Sequence, residues 1–322
     1  MYRIFGDFPR TDGGVRLSFR ETGQWTMPPA LRKAVRPGGN PFDVTALLFG
    51  DELKGPALLF FSVNPGVSLP DAPAHAHASD NFRMSLRGVL PMGSERYGPG
   101  EFRLQRGWKA YASDNYANGP QGGWSVLLFG DRRGVRTRHV SADAPPHDAA
   151  DQLLAEWLGI TGDLTSSDPA DTSGPSAIST NLGQFRGARV NSSFARAGDW
   201  PTVSPGVRSA GSLLGDPTSG PVLLLVDSDA AAATSRGQVF DTEVFHLVVS
   251  GTCSIDGVEH TAGDMRLVPA GCRVPEVVAG PDGLQEMVVL GDRRGAAVPV
   301  PTTGWPAGVG ELVDGLAREI TV

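Results

Sequence analysis

The chain has 322 residues and a net charge of −7, with hydrophobic residues at 40% and charged residues at 20%. At about 150 residues per domain this length suggests two domains, and the composition is that of a globular protein, which excludes a chain disordered throughout. An acidic balance without any block of basic residues argues against nucleic acid as a partner.

The apolar runs are short. The longest, residues 57–61 and 222–226, fall far below the ~20 residues that a membrane helix needs. The N-terminus has no apolar stretch of the signal-peptide type, so we expect a cytoplasmic protein with no membrane partner. Cys253 and Cys272 are the only cysteines, too few for a disulfide framework or a cysteine-based metal site.

Two segments of the chain repeat each other. Residues 127–134 (LLFGDRRG) reappear as residues 288–295 (VVLGDRRG). Three further pairs keep the same order at nearly constant separation: residues 55–59 with 220–224, 82–88 with 245–251, and 99–104 with 262–267. The segments between turn residues are short and apolar, which is typical of strands in a sandwich or small barrel. The sequence therefore predicts two copies of one β fold.

Helical spacing of apolar residues occurs in two places outside the repeats. Residues 148–160 and residues 308–318 each predict a helix, and residues 161–176 form a polar stretch typical of a linker. The expected organisation is an N-terminal barrel with the candidate active site (residues 1–147), a helix and linker (148–178), and a C-terminal barrel with a closing helix (179–322).

The first copy carries a recognisable histidine motif. His75-Ala76-His77, followed by Asn81 and Gly88, has the spacing H-x-H-x3-E-x6-G of the first cupin motif, with Asn81 in place of Glu and Leu69 in place of the leading Gly. In the second motif, Tyr111 stands at the His position and Asn115 at the Asn position.

The whole chain therefore resembles a bicupin of the cupin superfamily, over roughly residues 45–135 and 210–296. The resemblance implies an all-β fold of two tandem double-stranded β-helix (jelly-roll) barrels, with a few peripheral helices and a ligand or metal at a barrel mouth. Family members include dioxygenases, decarboxylases, isomerases, lyases, storage proteins and sugar-binding regulators, so the fold alone does not give the function.

Side-chain chemistry indicates which copy holds a site. The C-terminal copy has Gln238, Phe240, Val244 and Val274 at the ligand positions, three of which cannot bind a metal. The N-terminal copy has His75, His77, Asn81 and Tyr111, all with lone pairs. We therefore place the site in the N-terminal barrel and expect His246 of the C-terminal copy to be a core histidine with satisfied hydrogen bonds.

Two kinds of chemistry remain open for this site. His75 and His77 can together hold one divalent transition metal, although Asn81 supplies only a neutral carbonyl oxygen where a facial triad needs a carboxylate. Alternatively, no cofactor is bound, and His75, His77 and Tyr111 are the acid/base groups. Strand alternation puts the candidate substrate-binding residues on one face: Asn81, Arg83 and Ser85.

Three functions follow from these alternatives. The first is an enzyme, of the lyase, isomerase or cyclase type, that moves protons on a small organic substrate, as in a natural-product pathway. The second is a metal-dependent dioxygenase or lyase that uses His75 and His77. The third is a non-catalytic bicupin that binds a small ligand, which an exposed pair of histidines would favour. A bicupin already pairs two barrels, so we expect a monomer or a homodimer.

Overall fold

The structure, a computed structural model, describes residues 2–11, 14–35, 42–69, 72–113, 116–117, 119–140, 149–160, 178–235, 237–296 and 307–320. The predicted linker at residues 161–176 lies outside these ranges, as does Asn115.

The chain is built mainly of strands. The first half contains β1 (Arg3–Ile4), β2 (Arg10–Thr11), β3 (Gly14–Ser18), β4 (Phe42–Leu48), β5 (Ala57–Val63), β6 (Ser68–Leu69), β7 (Ala72–His77), β8 (Asn81–Arg87), β9 (Leu90–Met92), β10 (Glu95–Tyr97), β11 (Glu101–Gln105), β12 (Tyr111–Ser113), β13 (Tyr116–Ala117), β14 (Gly123–Phe129) and β15 (Thr137–His139).

The second half contains β16 (Ser179–Thr180), β17 (Arg189–Ser193), β18 (Thr202–Ser204), β19 (Val207–Leu213), β20 (Val222–Ser228), β21 (Ala233–Ser235), β22 (Val244–Ile255), β23 (Val258–Thr261), β24 (Asp264–Val268) and β25 (Val277–Leu290). The α-helices are α1 (Pro29–Val35), α2 (Ala149–Leu158), α3 (Arg293–Ala296) and α4 (Ala307–Ile320). Short 3-10 helices cover Thr22–Gln24, Arg132–Val135 and Phe194–Asp199.

The two main sheets repeat one strand order. The first runs β1-β4-β5-β14-β8-β11-β17, and the second runs β16-β19-β20-β25-β22-β24-β3-β2. Strands β4, β5, β14, β8 and β11 thus correspond to β19, β20, β25, β22 and β24. The all-β, tandem jelly-roll fold predicted from the sequence is confirmed by this order. A separate three-stranded sheet, β12-β7-β15, carries the histidine motif.

Each half of the chain contributes to the sheet of the other half: the first half gives β3 and β2 to the second sheet, and the second half gives β17 to the first. Strand β3 pairs with β24 in the second sheet, and β17 pairs with β11 in the first. Each exchanged strand covers an edge that would otherwise expose unpaired backbone groups. The domain division into residues 1–147 and 179–322 stays a prediction. It places β3 in the N-terminal barrel and β17 in the C-terminal barrel, whereas each strand pairs with the sheet of the other barrel.

The main sheets bury both of their faces. Their strands are therefore apolar almost throughout, as in β5 (ALLFFSV) and β20 (VLLLVDS). One shared core joins the two barrels, where the Phe60 and Phe245 rings lie 5.6 Å apart. The inner faces form separate cores, one with Leu31 of α1 and Leu158 of α2 and the other with Leu316 of α4.

The predicted helices are confirmed as α2 and α4. Helix α2 buries Leu154 and Leu158 in the core of the first barrel, which accounts for their helical spacing in the sequence. Within the described ranges, no helix is both long and apolar enough to span a bilayer.

Two carboxylates hold the barrels together in a reciprocal arrangement. Asp80 of the first barrel accepts a hydrogen bond from the Gly215 amide of the second at 3.3 Å. Glu243 of the second barrel accepts one from the Gly50 amide of the first at 3.1 Å. Both carboxylates are almost fully buried. We call Asp80, Gly215, Glu243 and Gly50 the inter-barrel clasp.

The repeated GDRRG sequences surround the clasp. Arg132 donates to the carbonyl oxygens of Phe49 (2.6 Å) and Gly55 (3.3 Å). Arg293 donates to the equivalent carbonyls of Leu214 (2.5 Å) and Gly220 (3.0 Å). The arginines therefore fix the loops that present the clasp glycines, so the GDRRG repeat is architectural.

Substitution of the clasp glycine Gly50 should destabilise the protein by more than backbone strain alone. A Cβ at Gly50 would lie 2.1 Å from the Gly291 carbonyl oxygen, whereas one at Gly66 would contact nothing within 4 Å, and both residues have a φ of +71°. We expect Gly66→Ala to lower the free energy of unfolding by about 1–2 kcal/mol. Gly50→Ala should cost at least about 2 kcal/mol more, because the clash adds to the same strain. Urea unfolding measures both, and equal losses would contradict the close packing of Gly50 against Gly291.

Candidate active site

Three predicted catalytic side chains meet inside the first barrel. His75 and His77 lie two residues apart on β7 and therefore point to the same side. Tyr111 on β12 pairs directly with His75. Its hydroxyl oxygen lies 2.8 Å from His75 Nε2 and 3.0 Å from His77 Nε2. The phenol oxygen is thus the point at which both imidazoles converge.

His77 is held as a neutral imidazole with its tautomer fixed. Its Nδ1–H donates to the Gly134 carbonyl oxygen at 2.9 Å, which leaves Nε2 as an acceptor facing Tyr111. Burial, together with the charge of Arg83 and the proximity of His75, lowers the pKa of His77 well below its ordinary value. Near neutral pH, His77 therefore offers a lone pair on Nε2.

Arg83 brings a positive charge to the same point. Its terminal nitrogen donates to the Tyr111 hydroxyl oxygen and lies 3.0 Å from His77 Nε2. The guanidinium carbon is 4.2 Å from the centroid of the Tyr111 ring. A guanidinium in this position stabilises negative charge on the phenol oxygen or on a substrate oxygen that replaces it.

The clasp and the active site share one turn. Asp131 donates its amide to Ser79 Oγ at 2.8 Å, and the 3-10 helix that follows presents the Gly134 carbonyl to His77. A Cβ at Gly134 would lie 2.2 Å from Ser79 Cβ, so the turn packs directly against the chain between β7 and β8. The position of His77 therefore depends on the GDRRG turn.

A cavity of about 220 Å³ adjoins this cluster. Arg83 belongs to both, since it lines the cavity and contacts Tyr111. The lining residues are Phe61, Val63, Arg83, Ser85, Arg87, Val89, Leu90, Pro91, Gly123, Trp124, Ser125, Val126 and Leu127. This volume is below the usual range of ligand pockets, so the cavity has room only for a small ligand.

The predicted substrate-binding residues separate into two groups. Arg83 and Ser85 line the cavity. Asn81 is buried, and its Nδ2 donates to the Ser79 carbonyl at 3.4 Å; in the described structure no hydrogen bond joins its side chain to the histidines or Tyr111. A substrate-binding role for Asn81 stays a prediction.

Sequence reasoning did not find three further site residues. Arg87 follows Arg83 and Ser85 along β8, and the same alternation that singled them out includes it. The sequence does not indicate Trp124 as a site residue, because its position depends on the register of β14 against β8. It does not indicate Gly134 either, because that glycine lies in a turn that both copies contain.

The donor set does not fit a divalent metal. His75 Nε2, His77 Nε2 and Tyr111 Oη are mutually close, but the cationic Arg83 lies between His77 and Tyr111 and competes with a metal ion for both. Over the described ranges, no group of three His, Cys, Asp or Glu side chains is arranged to hold an ion. Asp80, the nearest acidic residue in sequence, serves the clasp instead.

The second barrel differs from the first at the equivalent positions. Phe240, Val244 and Val274 pack in its apolar core. His246 replaces Arg83, and the prediction of satisfied hydrogen bonds for it is wrong: over the described ranges neither ring nitrogen has a partner, and Glu286 Oε2 lies 3.6 Å from Nδ1. The Glu286 carboxylate lies next to the ring, just beyond hydrogen-bond distance.

Two buried histidines predict sensitivity to mild acid. His77 has a pKa well below its ordinary value, and burial lowers the pKa of His260 to about 4. The unfolded chain, with histidine pKa values near 6.5, therefore binds more protons than the folded chain below that pH, so the free energy of unfolding falls as the pH drops. We expect His77 to account for part of this loss between about pH 7.5 and about pH 5, because only the unfolded chain readily takes up a proton there.

Urea unfolding at the two pH values measures this difference for the wild type, His77→Gln and His260→Gln. Each variant should lose less stability on acidification than the wild type does. An unchanged loss in His77→Gln would contradict the assignment of a neutral, buried His77.

No protein-family model matches the chain, and no curated protein matches it. Among solved structures, salicylate 1,2-dioxygenase from Pseudaminobacter salicylatoxidans is 15% identical at a TM-score of 0.47, with 88% of this chain and 86% of that chain covered. Oxalate decarboxylase from Bacillus subtilis is 14% identical at a TM-score of 0.38, with 91% and 76% covered.

These similarities are too low to carry an argument, and the fold follows from the strand order of the chain itself. Two sheets of the same order lie in tandem, and a short sheet carrying the HxH pair faces the interior of the first barrel. The protein therefore has the tandem jelly-roll arrangement that the resemblance of its sequence to bicupins implies.

Proposed function

We propose that the protein is an enzyme that catalyses proton transfer on a small organic substrate in its N-terminal barrel. The observation that carries this proposal is the convergence of His75, His77 and Arg83 on the Tyr111 hydroxyl beside the cavity. Isomerisation, cyclisation and elimination all need a proton removed at one atom and delivered at another, with the intermediate charge held between.

The residues divide this chemistry among themselves. His77 Nε2, a neutral acceptor, takes a proton from a carbon next to a substrate carbonyl. The electron pair of the broken C–H bond moves onto the carbonyl oxygen, where Arg83 stabilises the resulting enolate by a charge-assisted hydrogen bond. Tyr111 then donates its phenol proton to the substrate. The proton held on His77 Nε2 passes to the phenol oxygen 3.0 Å away, which closes the cycle, and His75 hydrogen-bonds that oxygen at 2.8 Å while its charge changes.

Burial of the cluster favours catalysis over plain ligand binding. His77 and Tyr111 have exposed fractions of 5% and 8%, so the histidine pair does not lie in an exposed loop. A water-poor site strengthens the interaction of Arg83 with a developing oxyanion. The metal-dependent dioxygenase or lyase is less well supported, because Arg83 competes for the donor atoms.

The proposal predicts carbon–hydrogen exchange that depends on Tyr111. The protein is incubated in D2O with a panel of small enolisable ketones and 2-oxo acids, and deuterium incorporation is followed by NMR. We expect Tyr111→Phe to slow incorporation by about 100-fold or more, because the phenol proton is lost.

Tyr97→Phe is the matched control. Tyr97 is also buried, and its hydroxyl donates to Glu95 at 2.6 Å, away from the histidine pair. This variant should exchange at the wild-type rate. Equal rates in Tyr111→Phe and the wild type would overturn the role of the phenol.

A second prediction concerns metal content. Purified, untagged protein should contain far less than one equivalent of any transition metal by mass spectrometry, and a His75→Ala/His77→Ala variant should match it. A nearly stoichiometric metal that disappears in the variant would overturn the cofactor-free proposal and favour the metal-dependent alternative.

A further inference from the structure

Arg87 is a cationic side chain that no acidic group in the described structure neutralises. It lines the cavity of the first barrel, and no ion pair or hydrogen bond joins its guanidinium to another described residue. Arg20, by contrast, forms a 2.8 Å ion pair with Asp264. A guanidinium that lines a cavity without an ion-pair partner there is available for an anionic ligand.

The Arg87 guanidinium is held in place by aromatic stacking. Its carbon lies 4.9 Å from the centroid of the Trp124 ring. Trp124 in turn stacks on Phe19 at 5.4 Å, and a Cβ at Gly263 would lie 2.9 Å from its ring. The indole is therefore wedged between the two barrels, and the cation resting on it is preorganised.

The cavity has a one-sided charge. Its lining contains two arginines, Arg83 and Arg87, two serines and no acidic residue, and the other lining residues are apolar apart from a glycine. The two arginines stand four residues apart on β8, which separates their α carbons by at most about 13 Å. They are therefore two separate anchoring points with an apolar wall between them.

We propose that Arg87 determines the substrate specificity of this site by binding a carboxylate of the substrate at a point remote from Tyr111. This inference rests on the proposed function for the reacting end, where Arg83 holds the carbonyl oxygen. The substrate class is then a small organic anion with an apolar body, which carries its carboxylate away from the carbon that loses the proton.

Binding measurements test this without turnover. Benzoate and its neutral isostere benzamide are titrated by calorimetry into the wild type, Arg87→Gln, Arg87→Lys and Arg20→Gln. We expect the wild type to bind benzoate more tightly than benzamide. Arg87→Gln should weaken benzoate binding by at least about tenfold and leave benzamide binding unchanged, as expected for the loss of one charge-assisted hydrogen bond.

The two other variants separate charge from structure. Arg20→Gln removes a cation 5.9 Å from the same Trp124 ring but outside the cavity lining, so benzoate should bind as in the wild type. Arg87→Lys keeps the charge and should retain part of the affinity.

Three results would overturn the inference: no preference of the wild type for benzoate, the same loss of benzamide and benzoate binding in Arg87→Gln, or equal weakening in Arg20→Gln. Tyr111→Phe should still bind benzoate. Loss of exchange chemistry with benzoate binding intact would thus count against the proposed reaction and not against the role of Arg87.

Discussion

The reciprocal hydrogen bonds of Asp80 and Glu243 are the constraint on which the rest of the structure depends. Each carboxylate leaves its own barrel to accept from a glycine amide of the other, at 3.3 and 3.1 Å. A buried carboxylate without such partners would cost several kcal/mol, so the barrels are tied to one relative position. The clasp also reaches the active site, because Asp80 precedes β8 and the neighbouring GDRRG turn supplies the carbonyl that orients His77.

The two barrels share this framework and differ in the chemistry of their interiors. In the first, Arg83 and the HxH pair meet around Tyr111. In the second, His246 stands at the position of Arg83, and the surrounding ligand positions are filled by packed apolar side chains. A duplicated fold can lose its site in one copy without losing stability, because the clasp uses residues outside the ligand positions. Phe19 and Gly263, which belong to the second sheet and its turns, hold Trp124 at the wall of the cavity in the first barrel.

Motif spacing and the internal repeat predict the fold, the two helices and a site that combines His75, His77 and Tyr111. Motif spacing is informative here because residues two apart on a strand point to the same face of the sheet. The same logic fails for Asp80, whose partner lies 135 residues away in the other barrel. For Asn81, whose substrate-binding role stays a prediction, motif spacing does not anticipate the hydrogen bond from its side-chain amide to the Ser79 carbonyl. Strand alternation places Arg87 on the same face as Arg83 and Ser85. Its stacking on the Trp124 ring cannot be predicted from the sequence, because it depends on the tertiary structure.

The exchange of β3 and β17 has a consequence for the origin of the chain. Homodimers also form by exchange of strands between subunits, when each subunit gives the same element to the other. Joining the halves in one polypeptide makes that association intramolecular and independent of protein concentration. It also allows the sequences of the two halves to diverge. A symmetric dimer must carry every mutation twice, whereas in a fused chain the interior of one half can change while the other half keeps its own residues.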